Sequence, residues 1–212
     1  YEMLRSLVGS EMCIRDRGNN GNITRTKESI YENESSILDI GDEYVVEYEA
    51  KDYKGNVDYV NSYKIKEKYL DSYITRTLPD GMEVTYYDGD EKNYVNDDEK
   101  SLSEKYSYVI VTLEITNESN EKSNMTDICP TNIKIGYFDE DGTFKMYDYT
   151  RGSMSDDERA KGHVNLPIGS NSIITMCYVV PDELLDKQLV IAGEITEYDK
   201  GAPKVPYFKV KI

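Results

Sequence analysis

Asp139 and Asp141 stand two apart in the run Phe-Asp-Glu-Asp-Gly, and hard oxygen donors of this kind are what a calcium ion prefers. Asp88, Asp90 and Glu91 offer the same donors in a second cluster. Neither run continues as D-x-[DN]-x-[DN]-G with a later glutamate, and Asp-Glu-Asp-Gly between two apolar runs is also hairpin chemistry, so the turn reading is favoured. His163 is the single histidine. One imidazole cannot build a metal cluster, and no G-x-S-x-G turn presents a serine for it to activate. Cys129 and Cys177 lack C-x-x-C spacing, which leaves zinc and thioredoxin-like chemistry without support. They stand either as a bridge between sheets or as buried thiols packing like small hydrophobes. With 41 acidic residues some carboxylate pair could always be named for glycoside hydrolysis, so none is named. The catalytic set is empty, no cofactor is expected, and of the two clusters Asp139 and Asp141 are carried forward as the calcium candidates.

Tyrosine is the unusual residue, with 20 Tyr against 3 Phe and no Trp. Exposed tyrosines make large, rigid contact surfaces for protein or sugar, and Tyr137, Tyr147 and Tyr149 around one expected hairpin are the candidate binding cluster. The competing origin is codon bias, since Tyr, Asn, Lys, Ile, Asp and Glu are all favoured in AT-rich genomes.

These side chains must be positioned by short extended segments. The strongest runs from Tyr106 to Asn117, where Val109, Val111, Leu113 and Ile115 share one face and Asn117-Glu118-Ser119-Asn120 closes the run. Before it, residues 44–50 and 57–69 predict a hairpin turning at Gly55-Asn56, with Val57, Tyr59, Asn61, Tyr63 and Ile65 on one face. Residues 72–78 and 82–87 predict another across Pro79-Asp80-Gly81, and 88–103 an exposed charged loop. After it, 131–138 and 143–149 flank Asp139-Gly142, and 151–161 predicts a short helix capped by Ser155. Residues 172–180 read as a strand buried on both faces, followed by strands over 188–196 and 205–212. Nine or ten short strands without a long amphipathic helix predict an all-β antiparallel sandwich.

Leu7 to Arg17, LVGSEMCIRDR, resembles a translated sequencing adapter, so residues 1–17 are set apart, 18–39 read as a flexible lead, and 40–212 as the domain. Setting 1–17 aside removes Glu2, Glu11 and Asp16 with Arg5, Arg15 and Arg17, so the net charge stays at -16 and two cysteines remain. An acidic balance of this size argues against a nucleic-acid partner, whose phosphates are bound through Lys and Arg. No apolar run reaches the roughly 20 residues of a membrane helix.

The segments Tyr106 to Asn117, Phe138 to Gly142 and Leu166 to Pro181 resemble, in order, the telokin-like immunoglobulin-fold domains of unknown function found in secreted lipoproteins of low-GC Gram-positive bacteria. The resemblance implies an immunoglobulin-like β-sandwich working outside the cytoplasm, secreted or lipid-anchored, with no established catalytic residues. The expected function is a non-enzymatic binding or adaptor domain whose partner is a protein or glycan at the cell surface. A carbohydrate-binding module with exposed tyrosines, and a hydrolase using paired carboxylates, are the alternatives.

Overall fold

Period-two patterning lets each segment bury one row of side chains while its backbone N–H and C=O groups pair with a neighbour. The computed structural model describes residues 37–82, 94, 101–128, 130, 133–147, 151–155, 164–193 and 206–211. Among them the strands are β1 (Glu43–Tyr48), β2 (Tyr63–Thr75), β3 (Tyr106–Asn117), β4 (Asp127–Ile128), β5 (Lys134–Phe138), β6 (Phe144–Tyr147), β7 (Arg151–Ser155), β8 (Val164–Asn165), β9 (Asn171–Pro181), β10 (Leu189–Ala192) and β11 (Tyr207–Lys209). One sheet runs β1-β2-β3-β9-β7, a second runs β11-β10-β5-β6, and β4 pairs with β8. All these pairings are antiparallel, so the protein is an all-β antiparallel sandwich.

The main core lies between the two sheets. Ile65, Val109, Val111, Leu113, Ile115, Ile174 and Val180 of the larger sheet meet Ile135, Leu189, Ile191 and Phe208 of the smaller. Each such burial contributes about 1.5–3 kcal/mol. A cross-strand surface pair contributes only about 0.2–1 kcal/mol. The inner face therefore dictates register, and the four residues assigned to the core side of β3 are all 0% exposed.

The outer faces are partly covered too. Tyr108, Ile110, Cys177 and Val179 form a second cluster with Met82, Tyr94 and Leu102, and Tyr94 meets Tyr106 edge-on at 5.0 Å. Of the run 88–103, expected as an exposed charged loop, Tyr94 and Leu102 are buried against the sheet, while 88–93 and 95–100 lie outside the described residues. Phe144, Val190, Ala192 and Tyr207 make a third cluster on the far side of the smaller sheet, joined by Phe138 and Ile37.

Three local expectations are also corrected. Residues 57–62 are not strand, and β2 starts at Tyr63, opposite Tyr48. Residues 72–75 are not a separate strand, since β2 runs through a bulge between Tyr69 and Asp71 and keeps its pairing with β3. Residues 151–155 form β7 on the open edge of β9 rather than the start of a helix, because edge pairing satisfies backbone groups that a short polar helix leaves bare. The expected hairpin at Asp139-Gly142 is present, with Gly142 at φ 74°.

Gly136 marks the tightest point of that hairpin. A Cβ there would run into the Lys145 carbonyl oxygen and into Phe144 ring atoms at 2.7 and 2.8 Å. Gly136→Ala is expected to cost about 2–3 kcal/mol, read as a lower urea midpoint at unchanged slope.

The C-terminal strand is tied to both sheets. Leu38 adds one parallel bridge to Phe208, donating to the Tyr207 carbonyl at 2.9 Å and accepting from Lys209 N–H at 2.8 Å. At the β2 bulge the Tyr69 hydroxyl donates to Ser72 Oγ at 2.5 Å, and Ser72 Oγ in turn bonds both the Lys211 carbonyl (3.0 Å) and N–H (2.9 Å).

Candidate binding surface and a buried carboxyl

Tyr137 and Tyr147 do not form an exposed pair. Both are half-buried and packed against the main core, because Tyr137 shares the core-facing side of β5 with Ile135, and Tyr147 lies opposite Ile135 in register. Tyr149 lies outside the described residues, as do His163, Cys129 and the Asp88, Asp90, Glu91 cluster.

Among the described residues the exposed aromatics are Tyr73, alone on β2, and a group on the connection from β1 to β2 and at its flanks. Tyr53 is 91% exposed, Tyr59 47% and Tyr48 36%, with Val60 at 43% beside them in the chain. Tyr48 and Tyr63 pair across the strand ends with ring centroids 5.5 Å apart and planes inclined by 32°. Lys54 Nζ stands 5.3 Å from the Tyr53 ring centre, and Lys122 Nζ stands 5.9 Å from that of Tyr59.

A rigid loop frame presents these rings. Asp52 Oδ1 accepts the N–H groups of Lys54 and Asn56, both at 2.8 Å, and Asn56 Nδ2 donates to Asp52 Oδ2 at 3.1 Å. The Asn56 side-chain bond foremost holds the Asp52 carboxyl below its ordinary pKa. Gly55 at φ 83° turns the tip, and Lys51 bridges to Val57. Ser62 Oγ accepts from Ala50 N–H at 3.0 Å and donates to the Asp58 carbonyl at 2.6 Å, closing the base of the loop. Ser123 Oγ donates to the Ser62 carbonyl at 2.7 Å, which docks the turn after β3 alongside.

Asp139 is occupied by its own turn. Its Oδ1 accepts the N–H of Asp141 at 3.1 Å and of Thr143 at 2.8 Å, while Oδ2 faces Lys145 Nζ at 3.1 Å. The Thr143 bond foremost lowers its pKa. That is the hairpin reading in atomic form, and among the described residues no three His, Cys, Asp or Glu side chains gather around a metal position. Cys177 is a free thiol buried in the second cluster, and burial pushes its pKa far up.

One acidic group was not anticipated. Glu67 points from β2 into the space between the sheets, 0% exposed, flanked in register by Tyr44 on β1 and Ile115 on β3. Among the described residues neither carboxyl oxygen has a hydrogen-bond partner. Gly193 lies against it so closely that a Cβ there would collide with Oε2, and the same Cβ would be 2.7 Å from Pro206 Cγ. Burial raises the Glu67 pKa well above its ordinary value. The Tyr44 phenol is raised as well, by its own burial and then by a charge on Glu67.

No family model matches this chain, and no curated protein matches it. Among solved structures it is similar to an uncharacterized β-sandwich protein from Clostridium difficile 630. The two are 12% identical, with 82% of this chain and 95% of that chain covered and a TM-score of 0.39. No helix among the described residues is long and apolar enough to cross a membrane.

Proposed function

We propose that this chain is a non-enzymatic binding or adaptor domain of a bacterial cell-surface protein, working outside the cytoplasm, secreted or lipid-anchored, as its resemblance to telokin-like immunoglobulin-fold domains suggests. The observation that carries the reading is the aromatic surface on the β1–β2 connection, where Tyr48, Tyr53 and Tyr59 are presented by a loop hydrogen-bonded within itself. Tyrosine spends little side-chain entropy on binding and offers both an apolar face and a hydroxyl. A protein partner is the first reading. A glycan is second, because the rings of Tyr48 and Tyr63 are inclined rather than coplanar and make no flat platform for a sugar.

The hydrolase alternative needs two carboxyls across a solvent-open cleft. Glu67 has the raised pKa of a catalytic acid, but it is sealed from solvent and its shift comes from burial, with no second carboxylate contributing.

Biolayer interferometry of the whole chain against immobilised fibronectin, collagen, purified Gram-positive cell-wall polysaccharide and xylan tests the proposal. Saturable binding to at least one of these is expected, and binding to none would count against it.

A further inference from the structure

We propose that the outer edge of β1 receives an extended segment of a partner protein, one that carries Lys or Arg at two alternate positions with an apolar residue between them. That the partner is a protein rests on the binding reading above, whereas the place rests on the backbone.

The pairing phase leaves this edge open. Opposed residues of an antiparallel pair alternate between hydrogen-bonded and non-hydrogen-bonded positions. Tyr69 N–H donates to the Asp42 carbonyl at 3.1 Å, so Tyr44, Val46 and Tyr48 are the residues of β1 whose backbone groups turn toward β2. The phase agrees on the far side of β2, where Glu118 N–H donates to the Lys64 carbonyl at 2.9 Å and Lys64, Lys66 and Lys68 turn toward β3. The N–H and C=O groups of Glu43, Val45 and Glu47 therefore point away from the sheet, of which β1 is a terminal strand. Among the described residues no backbone group pairs with them. The other edges are shorter or partly covered: β6 has four residues, β7 has five, and β11 receives Leu38.

Side chains choose the partner. Glu43, Val45 and Glu47 stand exposed on one face of β1. Glu43 shares Lys66 at 4.0 Å and Lys68 at 3.4 Å. Glu47 has no ion pair among the described residues, and Lys64, opposite it in register, turns to Glu118 at 3.4 Å. A second copy of this chain fits badly, since an antiparallel strand centred on Val45 sets Glu43 against Glu47 at both ends, and like charges directly opposite destabilise a pair. A strand with cations at those two places and an apolar residue against Val45 turns both repulsions into attractions. Running along β1, it ends beside Tyr48, where the aromatic surface begins.

Amide NMR of the whole chain with the peptide acetyl-Thr-Lys-Thr-Val-Thr-Lys-Thr-amide tests the edge. In the free chain the amides of Glu43, Val45 and Glu47 are expected to exchange with solvent at least about tenfold faster than those of Tyr44, Val46 and Tyr48. The peptide is expected to shift the first three saturably, and its analogue with Glu in place of both Lys to bind at least about tenfold more weakly. Glu47→Lys is expected to reduce that preference. The double variant Tyr53→Ser, Tyr59→Ser is expected to bind the peptide as the parent does, which separates failure of the edge from failure of the aromatic surface. Slow exchange at the three amides would mean that the edge is already covered, and shifts that follow the concentration of the chain alone would mean that a second copy takes it. Either result would overturn the proposal, as would no shift with the lysine peptide, equal binding of both peptides, an unchanged preference in Glu47→Lys, or loss of peptide binding in the tyrosine variant.

Discussion

Asn117→Ala is expected to destabilise the domain by about 3–4 kcal/mol, more than the removal of any single surface contact. Asn117 closes β3, is 0% exposed, and donates through Nδ2 to the carbonyls of Met125 at 2.6 Å and Leu166 at 2.9 Å. Its Oδ1 accepts the Ser119 N–H at 3.0 Å. Alanine deletes all three bonds, stranding the buried Leu166 carbonyl and Ser119 N–H and leaving the part-buried Met125 carbonyl without this donor, at roughly 1–1.5 kcal/mol each. The backbone bonds of residue 117, from its N–H to Ser170 and to its carbonyl from Gly169, survive the change. Asn117→Asp is the informative companion, because it keeps the volume but turns an oxygen toward the same two carbonyls. Urea melts should show both variants well below the parent protein. A loss under about 1 kcal/mol for both would mean that the side chain does not hold these turns together.

Glu67→Met is expected to act in the opposite direction and raise stability at pH 7 by about 1–3 kcal/mol, since a buried polar group without partners is replaced by an apolar chain of similar length. The pH dependence is as telling as the size. An unfolded glutamate ionises near pH 4.3, while the folded Glu67 keeps its proton to higher pH because burial raises its pKa. Between those two values the folded state holds more protons at this position. Stability therefore falls as pH rises, by about 1.4 kcal/mol per unit, and the fall stops once the folded pKa is passed. The variant should lose this slope, so its advantage narrows as pH 4 is approached. Thermal melts from pH 4 to pH 9 read both, and a variant less stable than the parent at pH 7 would show that Glu67 has a buried partner.

Much of the fold was legible because period-two patterning and turn chemistry act locally. Val109 to Ile115 reported the core face of β3, and Asp139-Gly142 reported its hairpin. Residue 82 onward was harder: Tyr94 and Leu102 are isolated apolar residues in a charged run, and nothing short of the sheet they cover gives them a period. The strand at 151–155 depends on an open edge at β9, which is a tertiary fact.

The two site features differ in the same way. Glu67 was readable in principle, since Tyr63, Ile65, Glu67 and Tyr69 share a phase while Lys64, Lys66 and Lys68 take the other, placing an acid in the apolar row. Tyr53 likewise sits inside the turn sequence Asp-Tyr-Lys-Gly-Asn, where a ring has nowhere to go but outward. Tyr137 and Tyr147 misled because alternation assigns a side of a strand but not which side is covered, and the smaller sheet turns theirs inward.

Binding through the aromatic surface of the β1–β2 connection is tested most directly by one comparison. The parent chain and the double variant Tyr53→Ser, Tyr59→Ser should be measured on the same immobilised proteins and polysaccharides, with melting temperatures taken alongside. Both side chains lie outside the buried clusters, so the fold should be retained, while affinity for whichever probe binds should drop by at least about tenfold, the loss of one or two aromatic anchors. Unchanged affinity in a folded double variant would contradict the assignment of the binding surface to this end of the sandwich.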